Sequence, residues 1–162
     1  MNNRHIPLRY TVIPRTLVFI FNRDCVLLIK QKDKNKPGYE KWNGLGGHVE
    51  RGENPLDSAR REIWEESGLK VENIKLKYIT FIEENNQGIC LFIFSGYSKN
   101  SSLVKSDEGD VRWFSEKEIK DLVTMNDLPE LLNVIKRTKR NKSLRFLDIN
   151  YKNGKVRIDS IN

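Results

Sequence analysis

The chain contains little cysteine. Cys25 and Cys90 are the two cysteines among 162 residues, and they form no spacing motif. A disulfide framework of the kind that holds small secreted domains together is therefore not expected, and a reducing compartment is the default. We interpret both cysteines as small hydrophobic residues that are buried in the core.

Long hydrophobic runs are also missing. The longest, Leu17 to Phe21, is far shorter than the ~20 apolar residues that span a bilayer, so no membrane partner is expected. The N-terminal "MNNRHIPLRY" has no apolar core of a signal peptide. No internal repeat, low-complexity tract or linker interrupts the chain. We therefore expect a cytoplasmic protein that forms a single domain over residues 1–162.

Basic residues outnumber acidic ones, 29 against 22, and the formal net charge is +7. Such a surplus favours anionic partners, namely nucleotides, nucleic acid or phosphorylated metabolites. The densest basic run, "KRTKRNK" at residues 136–142, is typical of the last turn of a helix, where cations suit the helix dipole. Nucleic-acid binding is an alternative interpretation that we do not expect.

The apolar pattern predicts a mixed α+β domain in which helices pack on a β-sheet. "YTVIPRTLVFIFN" and "CVLLIKQ" predict a hairpin that turns at "NRD", whereas "WNGLGG" is too rich in glycine for a regular element. Further strands are predicted for "VENIKLKYITFIEE", "GICLFIFSGYS" and "VRWFS". "SLRFLDINYKNGKVRIDSI" predicts a C-terminal hairpin that turns at Asn153-Gly154, with alternating apolar residues Leu144, Phe146, Val156 and Ile158.

Three helices carry start and stop signals. Asn54 is a cap, Pro55 occupies the first helical position and Gly68 stops the helix. "SEKE" is a capping box that opens a short helix ending near residue 123. "NDLPELLNVIKRTKR" predicts a third helix that is capped at Asn126 or Asp127, so the C-terminal helix and hairpin occupy about 127–161.

The first helix carries three carboxylates, Glu62, Glu65 and Glu66, within little more than one turn. On a helical wheel they share a face that borders the core stripe, and like charges at this spacing repel one another. A solvated acidic face is one interpretation. The other is a site for Mg²⁺, or alternatively Mn²⁺, because carboxylate oxygens are hard ligands and a bound dication removes the repulsion.

Two glycines, Gly46 and Gly47, precede this helix. Without side chains, they let the backbone approach a metal ion or a phosphate closely, and a carbonyl there can add a ligand. Considered alone, the glycines are equally explained by a tight turn before a helix.

Read from Gly47, the chain has a glycine, five residues, Glu53, seven residues and then "REIWEESGL". This segment, residues 47–69, resembles the Nudix box, Gly-x5-Glu-x7-Arg-Glu-U-x-Glu-Glu-x-Gly-U, in which U is a bulky apolar residue. Every defined position matches. Seven fixed positions at about 6% average usage each make a chance match on the order of 10⁻⁶ or rarer. The resemblance implies a Nudix fold, an α/β/α sandwich with a mixed sheet, and hydrolysis of nucleoside diphosphates linked to another group.

The resemblance also implies roles for individual residues. Glu65 and Glu66 are expected metal ligands, together with the Gly46 carbonyl. Glu62 is expected to be the general base or a further ligand. Arg61 is expected to orient a glutamate of the box by a salt bridge. Glu53 is expected to support the loop–helix structure, with contact to the metal through a water molecule as a further role. Outside the box, Glu108 in "KSDEGDVRWF" resembles a further metal ligand of MutT-type members, with Asp107 as the alternative and a polar hairpin loop as the structural explanation.

"KWNGLGGHVERGE" resembles the version of the box found in oxidised-purine nucleoside triphosphatases of the MutT type. That resemblance makes Asn43 a base-contacting residue, since an amide offers both a donor and an acceptor. We also expect Gly47 to bind the substrate. "TMNDLPELL" resembles the acidic pair that binds the base in the same group, which gives Asn126 and Asp127 this role, although both are equally explained as helix caps.

The hypothesis that follows is a Mg²⁺-dependent pyrophosphohydrolase that cleaves oxidised nucleoside triphosphates such as 8-oxo-dGTP to the monophosphate and pyrophosphate. An enzyme that acts on another nucleoside diphosphate derivative or on an RNA 5′ end is the first alternative. The second is a non-catalytic Nudix protein that senses nucleotides or binds nucleic acid.

Overall fold

The computed structural model describes residues 10–84, 87–104, 109–137, 143–152 and 155–161. These ranges contain both strands and helices, which we number separately in chain order. The strands are β1 Val12–Asn22, β2 Cys25–Gln31, β3 Trp42–Asn43, β4 Ile74–Glu84, β5 Gln87–Tyr97, β6 Gly109–Ser115, β7 Arg145–Lys152 and β8 Lys155–Ile161. The helices are α1 Pro55–Ser67, α2 Glu116–Ile119 and α3 Leu128–Arg137.

The strands form one mixed sheet in the order β3-β2-β1-β5-β4-β7-β8, and β6 also pairs with β2. Two of the neighbouring pairs, β1–β5 and β4–β7, are parallel. The pairs β2–β6, β4–β5 and β7–β8 are antiparallel. A mixed sheet is thus confirmed, with long-range parallel pairs in addition to the hairpins that local patterns predict.

The predicted hairpin of β1 and β2 is paired only next to its turn, at Phe21↔Val26 and Asn22↔Cys25. Beyond these pairs the two strands diverge, and the glycine-rich segment after β3 enters the gap beside β1. Val18 and Leu45 exchange backbone hydrogen bonds of 2.7 and 3.1 Å there. The divergence gives the glycines a place inside the sheet layer, next to the first helix.

Side chains of β1 alternate between the two faces of the sheet, as a strand requires. Val18 and Ile20 face α1, where they share a core with Ala59 and Ile63. Residues on the opposite face pack with α3 and the C-terminal hairpin, and this second core includes Leu17, Phe19, Leu131, Ile135, Leu147 and Ile158. The sheet therefore lies between helices, and the predicted α/β/α sandwich is confirmed.

The C-terminal hairpin is confirmed, but the predicted pattern of its first strand is wrong. Phe146 is half exposed, whereas Leu147 is buried and Ile149 packs against the same core. The reason is the parallel pairing with β4, which sets Leu147 beside the buried Thr80. In β8 the expected residues, Val156 and Ile158, do face the core. The predicted turn residues 153 and 154 lie outside the described residues.

Three smaller predictions need correction. The helix that begins after Ser115 ends at Ile119 rather than near residue 123. Trp42 and Asn43 form a short strand despite the glycines that follow, because β2 pairs with them. Both cysteines are free, as expected, but Cys25 is only half-buried. Within the described part of the chain, no helix is long and apolar enough to cross a membrane.

Candidate active site

Helix α1 positions the acidic residues, and its ends are those that the sequence predicts. The side chain of Asn54 accepts hydrogen bonds from the backbone N–H groups of Leu56 and Asp57, both at 3.0 Å. Gly68 ends the helix at φ 73°, a left-handed conformation that glycine adopts without strain. Between these ends, Glu62 and Glu66 are buried on the side of the sheet, and Trp64 is exposed on the other.

The two glycines lie against β1 and against the glutamates of α1. Gly47 accepts a backbone hydrogen bond of 2.8 Å from Thr16. Gly46 donates its N–H to the Glu66 carboxylate over 2.9 Å. A Cβ on Gly46 would meet the Thr16 carbonyl at 2.3 Å, and Gly46 also has a φ of 133°. A Cβ on Gly47 would lie 2.5 Å from the Glu62 carboxylate. Both glycines are therefore required for this contact between strand and helix.

Arg61 neutralises much of the acidic cluster. Its Nη1 donates to Glu62 and to Glu65, both over 2.9 Å. Its Nε and Nη2 form a bidentate pair with Glu53 at 3.0 and 3.1 Å. Nη2 also donates to the backbone carbonyl of His48 at 3.0 Å. These contacts use all of the roughly five N–H donors that a guanidinium offers, and they relieve the repulsion that the spacing of the glutamates suggested.

The charges in this network shift pKa values in the expected directions. The hydrogen bonds from Arg61 are the main reason that the pKa of Glu53 lies below its ordinary value. The pKa of Arg61 is raised, first by its hydrogen bond with Glu53 and then by those with the other carboxylates. Both groups therefore remain charged over the neutral range.

A cavity of about 440 Å³ opens beside this network. Gly46 and Glu66 line one part of it, while Asn43, Asn126 and Asp127 also contribute to its wall. The remaining wall is mixed. Its apolar residues include Leu17, Ile29, Ile82, Ile89, Leu91 and Met125, and its polar residues include Arg15, Gln31, Lys41 and Glu83. A hollow of this size that combines apolar side chains with convergent polar groups is typical of a small-molecule site.

Backbone contacts explain why residues so far apart in sequence meet in this wall. Trp42 donates its N–H to the Val123 carbonyl at 2.9 Å and accepts from the Met125 N–H at 3.0 Å. Its ring also meets Phe114 edge-on, with centroids 4.6 Å apart. Asn43 and Asn126 each follow a residue of this bridge, which places both in the cavity wall.

The predicted site residues fall into four groups. Gly46, Glu66, Asn43, Asn126 and Asp127 line the cavity together, and Gly47 and Glu62 contact each other directly behind it. Glu65 instead lies partly exposed beside Arg61 and does not line the cavity. Asp107 and Glu108 lie outside the described residues.

As folded, the described residues contain no group of three or more histidine, cysteine, aspartate or glutamate side chains arranged to hold a metal ion. Two of the predicted ligands, Glu62 and Glu65, are instead bonded to the same nitrogen of Arg61. The gathered carboxylates nevertheless supply hard oxygen donors at one place.

The sequence interpretation missed several residues of the cavity wall, above all Arg15 and Gln31 on the diverging strands. Arg15 had a detectable signal. It precedes Leu17 and Phe19 at a spacing of two in "PRTLVFIF", so strand alternation assigns its side chain to the face of these two apolar residues. A charged residue at such a position is a reason to suspect a ligand.

Comparisons with known proteins agree with this geometry. Residues 12–135 match the NUDIX domain family. Two relatives called oxidized purine nucleoside triphosphate hydrolase, from Mus musculus and Danio rerio, are 35% and 36% identical over 106 and 110 residues. Each alignment covers 64% of this chain and 67% of the relative. A crystal structure of a MutT protein from Bacillus halodurans is similar with a TM-score of 0.66 at 25% identity, covering 91% of this chain and 98% of that one. The chain therefore belongs to the Nudix family, in its MutT-like subgroup, and is a Nudix hydrolase.

Proposed function

We propose that this protein is a Mg²⁺-dependent pyrophosphohydrolase of oxidised purine nucleoside triphosphates, with the nucleoside monophosphate and pyrophosphate as products. The observation that carries the proposal is the cavity, whose wall combines a carboxylate–glycine part, Glu66 with Gly46, and an amide–carboxylate part, Asn43 with Asp127. The first part suits a cation and phosphates, and the second suits a base. The names of the relatives from Mus musculus and Danio rerio support the choice of substrate.

Nudix hydrolases generally use divalent metal ions, and the residues present fit such an ion. The donors are carboxylate oxygens, which Mg²⁺ prefers and Mn²⁺ also accepts. Glu66 reaches the cavity, and the lack of a Cβ at Gly47 leaves room for the Glu62 carboxylate. We propose Glu62, Glu65, Glu66 and the Gly46 carbonyl as the ligands within the described residues, and Glu108 outside them. For Glu65 to bind the ion, its carboxylate must give up the hydrogen bond from Arg61.

The cation would neutralise charge on the phosphates and activate water. The protein itself contributes position and proton transfer. Arg61 holds Glu62 and Glu65 through one nitrogen and is anchored by its bidentate pair with Glu53. Glu62 is a candidate to accept the proton of the attacking water, because it is a buried carboxylate of α1 beside Gly47. Glu53 acts through Arg61 and is a positioning residue.

At the base-binding end, Asn43 has a defined orientation. Its Oδ1 accepts the N–H of Gly44 over 2.9 Å, which leaves the amide NH₂ group as the part available for a base. Asp127 is buried and lines the same cavity, where its carboxylate is an acceptor. A purine edge that presents both a carbonyl oxygen and N–H donors matches this combination. Such an edge belongs to guanine and to its oxidised form.

The experiment that tests the proposal is a panel of nucleotides assayed with Mg²⁺, with the products separated by chromatography. We expect 8-oxo-dGTP to be hydrolysed to monophosphate and pyrophosphate with a higher kcat/KM than dGTP. Asn43→Ala should reduce kcat/KM for both nucleotides and reduce it more for the preferred one, by about 10-fold if one amide hydrogen bond to the base is lost. Equal losses on the two nucleotides would contradict selective readout by Asn43.

The same panel distinguishes the alternative functions. Preference for an RNA 5′ end would show a steep decrease in affinity with salt, because binding a polyanion releases counterions. Tight nucleotide binding without hydrolysis at any metal concentration would instead indicate a sensor. Hydrolysis of triphosphates in the cytoplasmic nucleotide pool is the outcome that we propose.

A further inference from the structure

The cavity wall contains a cation for which the described chain provides no carboxylate partner. Arg15 in β1 lines the cavity, and within the described residues its side chain has neither a hydrogen bond nor an ion pair. Three other arginines, Arg60, Arg61 and Arg157, each pair with an acidic side chain. A half-buried guanidinium without a partner is costly to desolvate. An anionic ligand in the cavity would provide the missing contact.

The position of Arg15 in the strand makes a structural role unconvincing. It lies two residues before Leu17, on the same face of β1. In the neighbouring strand β5 it is paired with Leu91. Both neighbours are apolar and line the cavity with it. An apolar residue would continue this surface without the cost of a charge, so the arginine serves something other than packing.

Arg15 also lies at the end of the cavity where phosphates are expected. The next residue, Thr16, bonds the backbone of Gly47, and Gly46 bonds Glu66. Arg15 forms an isolated antiparallel β-bridge with His48. Arg15 thus adds a positive charge to the cavity wall next to the strand–glycine contact, and such a charge suits a chain of phosphates.

Glu83 is the obvious candidate for an internal partner, because it also lines the cavity. The register of the strands excludes an ion pair between Glu83 and Arg15. Glu83 pairs with Gly88, and Gly88 pairs with Val12, three residues along β1 from Arg15. No ion pair between Arg15 and Glu83 occurs in the structure, so an external anion remains the best match for the guanidinium.

We propose that Arg15 binds a phosphate of the substrate and makes the enzyme select nucleotides by the number of their phosphates. The inference rests on the proposed function, because it assumes that the phosphates lie at the Gly46–Glu66 end. A guanidinium can bind two phosphate oxygens with parallel hydrogen bonds, whereas a lysine offers a single point charge. Arg15 therefore acts as a specificity-determining residue for the triphosphate.

The test compares Arg15→Gln and Arg15→Lys with Arg112→Gln, which removes the same charge from an exposed position of β6 outside the cavity wall. We expect Arg15→Gln to lower kcat/KM for the nucleoside triphosphate by about 10- to 100-fold, the loss that a charged hydrogen bond provides. The loss for the corresponding diphosphate should be smaller, so the preference for triphosphate decreases. Arg15→Lys should recover part of the activity, and the unfolding temperature of all variants should stay within about 2 °C of the wild type.

Binding of inorganic tripolyphosphate, measured by calorimetry, provides a second readout that needs no hydrolysis. We expect Arg15→Gln to weaken it by a similar factor and Arg112→Gln to leave it nearly unchanged. Failure of the wild type to hydrolyse any triphosphate would refute the proposed function alone. Equal tripolyphosphate binding by wild type and Arg15→Gln, including no binding by either, would overturn the role of Arg15. Equal kcat/KM values for Arg15→Gln and Arg112→Gln would overturn it as well.

Discussion

At the scale of single residues, Arg61 explains how so many carboxylates lie together. The helical period predicts that Glu62, Glu65 and Glu66 border the core; Glu62 and Glu66 are buried in the structure, whereas Glu65 is partly exposed. The contacts of Arg61 with three carboxylates and a carbonyl depend on the loop around His48 and Glu53. Loop geometry of this kind has no periodic signal, so the network itself could not be predicted from the residues alone.

Replacing Arg61 tests its role as the counter-charge. Arg61→Gln leaves Glu53 and Glu62 largely buried without their main ion-pair partner, so the free energy of unfolding should decrease by about 2–4 kcal/mol. Urea denaturation at neutral pH measures this change. Arg60→Gln is the matched control, because Arg60 is exposed and its contact with Asp57 is 3.5 Å long; its loss should be below about 1 kcal/mol. Equal losses in the two variants would contradict the role assigned to Arg61.

The lowered pKa of Glu53 predicts how stability depends on pH. Because Arg61 holds the folded-state pKa below the ordinary value of 4.5, the ionised carboxylate stabilises the fold above pH 4.5. This stabilisation should be lost as the pH falls below that value and passes through the folded-state pKa. Unfolding free energies measured from pH 7 downwards should therefore fall less steeply for Glu53→Gln than for the wild type. Parallel pH curves for the two proteins would contradict the assignment.

At the scale of elements, local signals predicted α1 well because its ends depend on neighbouring residues. The cap at Asn54 and the stop at Gly68 are both present. Signals for α2 were less informative, since a capping box defines where a helix starts but not where it ends; that helix stops at Ile119. The register of β7 depends on β4, which lies far away in sequence, and for this reason alternation alone placed the wrong residues inward.

Contact between the glycine segment and α1 can be tested at Gly47. Gly47→Ala places a methyl group where the Glu62 carboxylate lies, so Glu62 must move and hydrolysis should decrease by about 10-fold or more. Steady-state kinetics measures this loss. Gly52→Asn is a suitable control, because Gly52 has open space around it and asparagine tolerates its φ of 85°. Unchanged kcat in Gly47→Ala would show that the position of Glu62 does not matter for catalysis.

At the scale of the whole molecule, a sheet with helices packed on it followed from the pattern of strands and helices. The mixed sheet between two helical layers followed from the family resemblance, whereas the cavity was not predicted. Its wall is formed where β1 and β2 diverge and where the backbone bridge at Trp42 brings Asn126 beside Asn43. Contacts between such distant segments are invisible to periodicity, and only the resemblance to a known family connected these residues beforehand. Arg15 is the exception, because its departure from the apolar pattern of β1 can be recognised in the sequence.

The central claim is that the acidic face of α1 and the glycine pair bind a divalent cation for phosphoanhydride hydrolysis. Its most direct test is the rate of pyrophosphate release from 8-oxo-dGTP as a function of Mg²⁺ concentration, in wild type, Glu65→Gln, Glu66→Gln and the exposed control Glu72→Gln. We predict a saturable Mg²⁺ dependence in the wild type and in Glu72→Gln. Both other variants should stay folded and lose at least about 100-fold in rate, the upper end of what losing an outer-shell partner costs. Full, Mg²⁺-dependent activity in Glu65→Gln and Glu66→Gln would contradict the account.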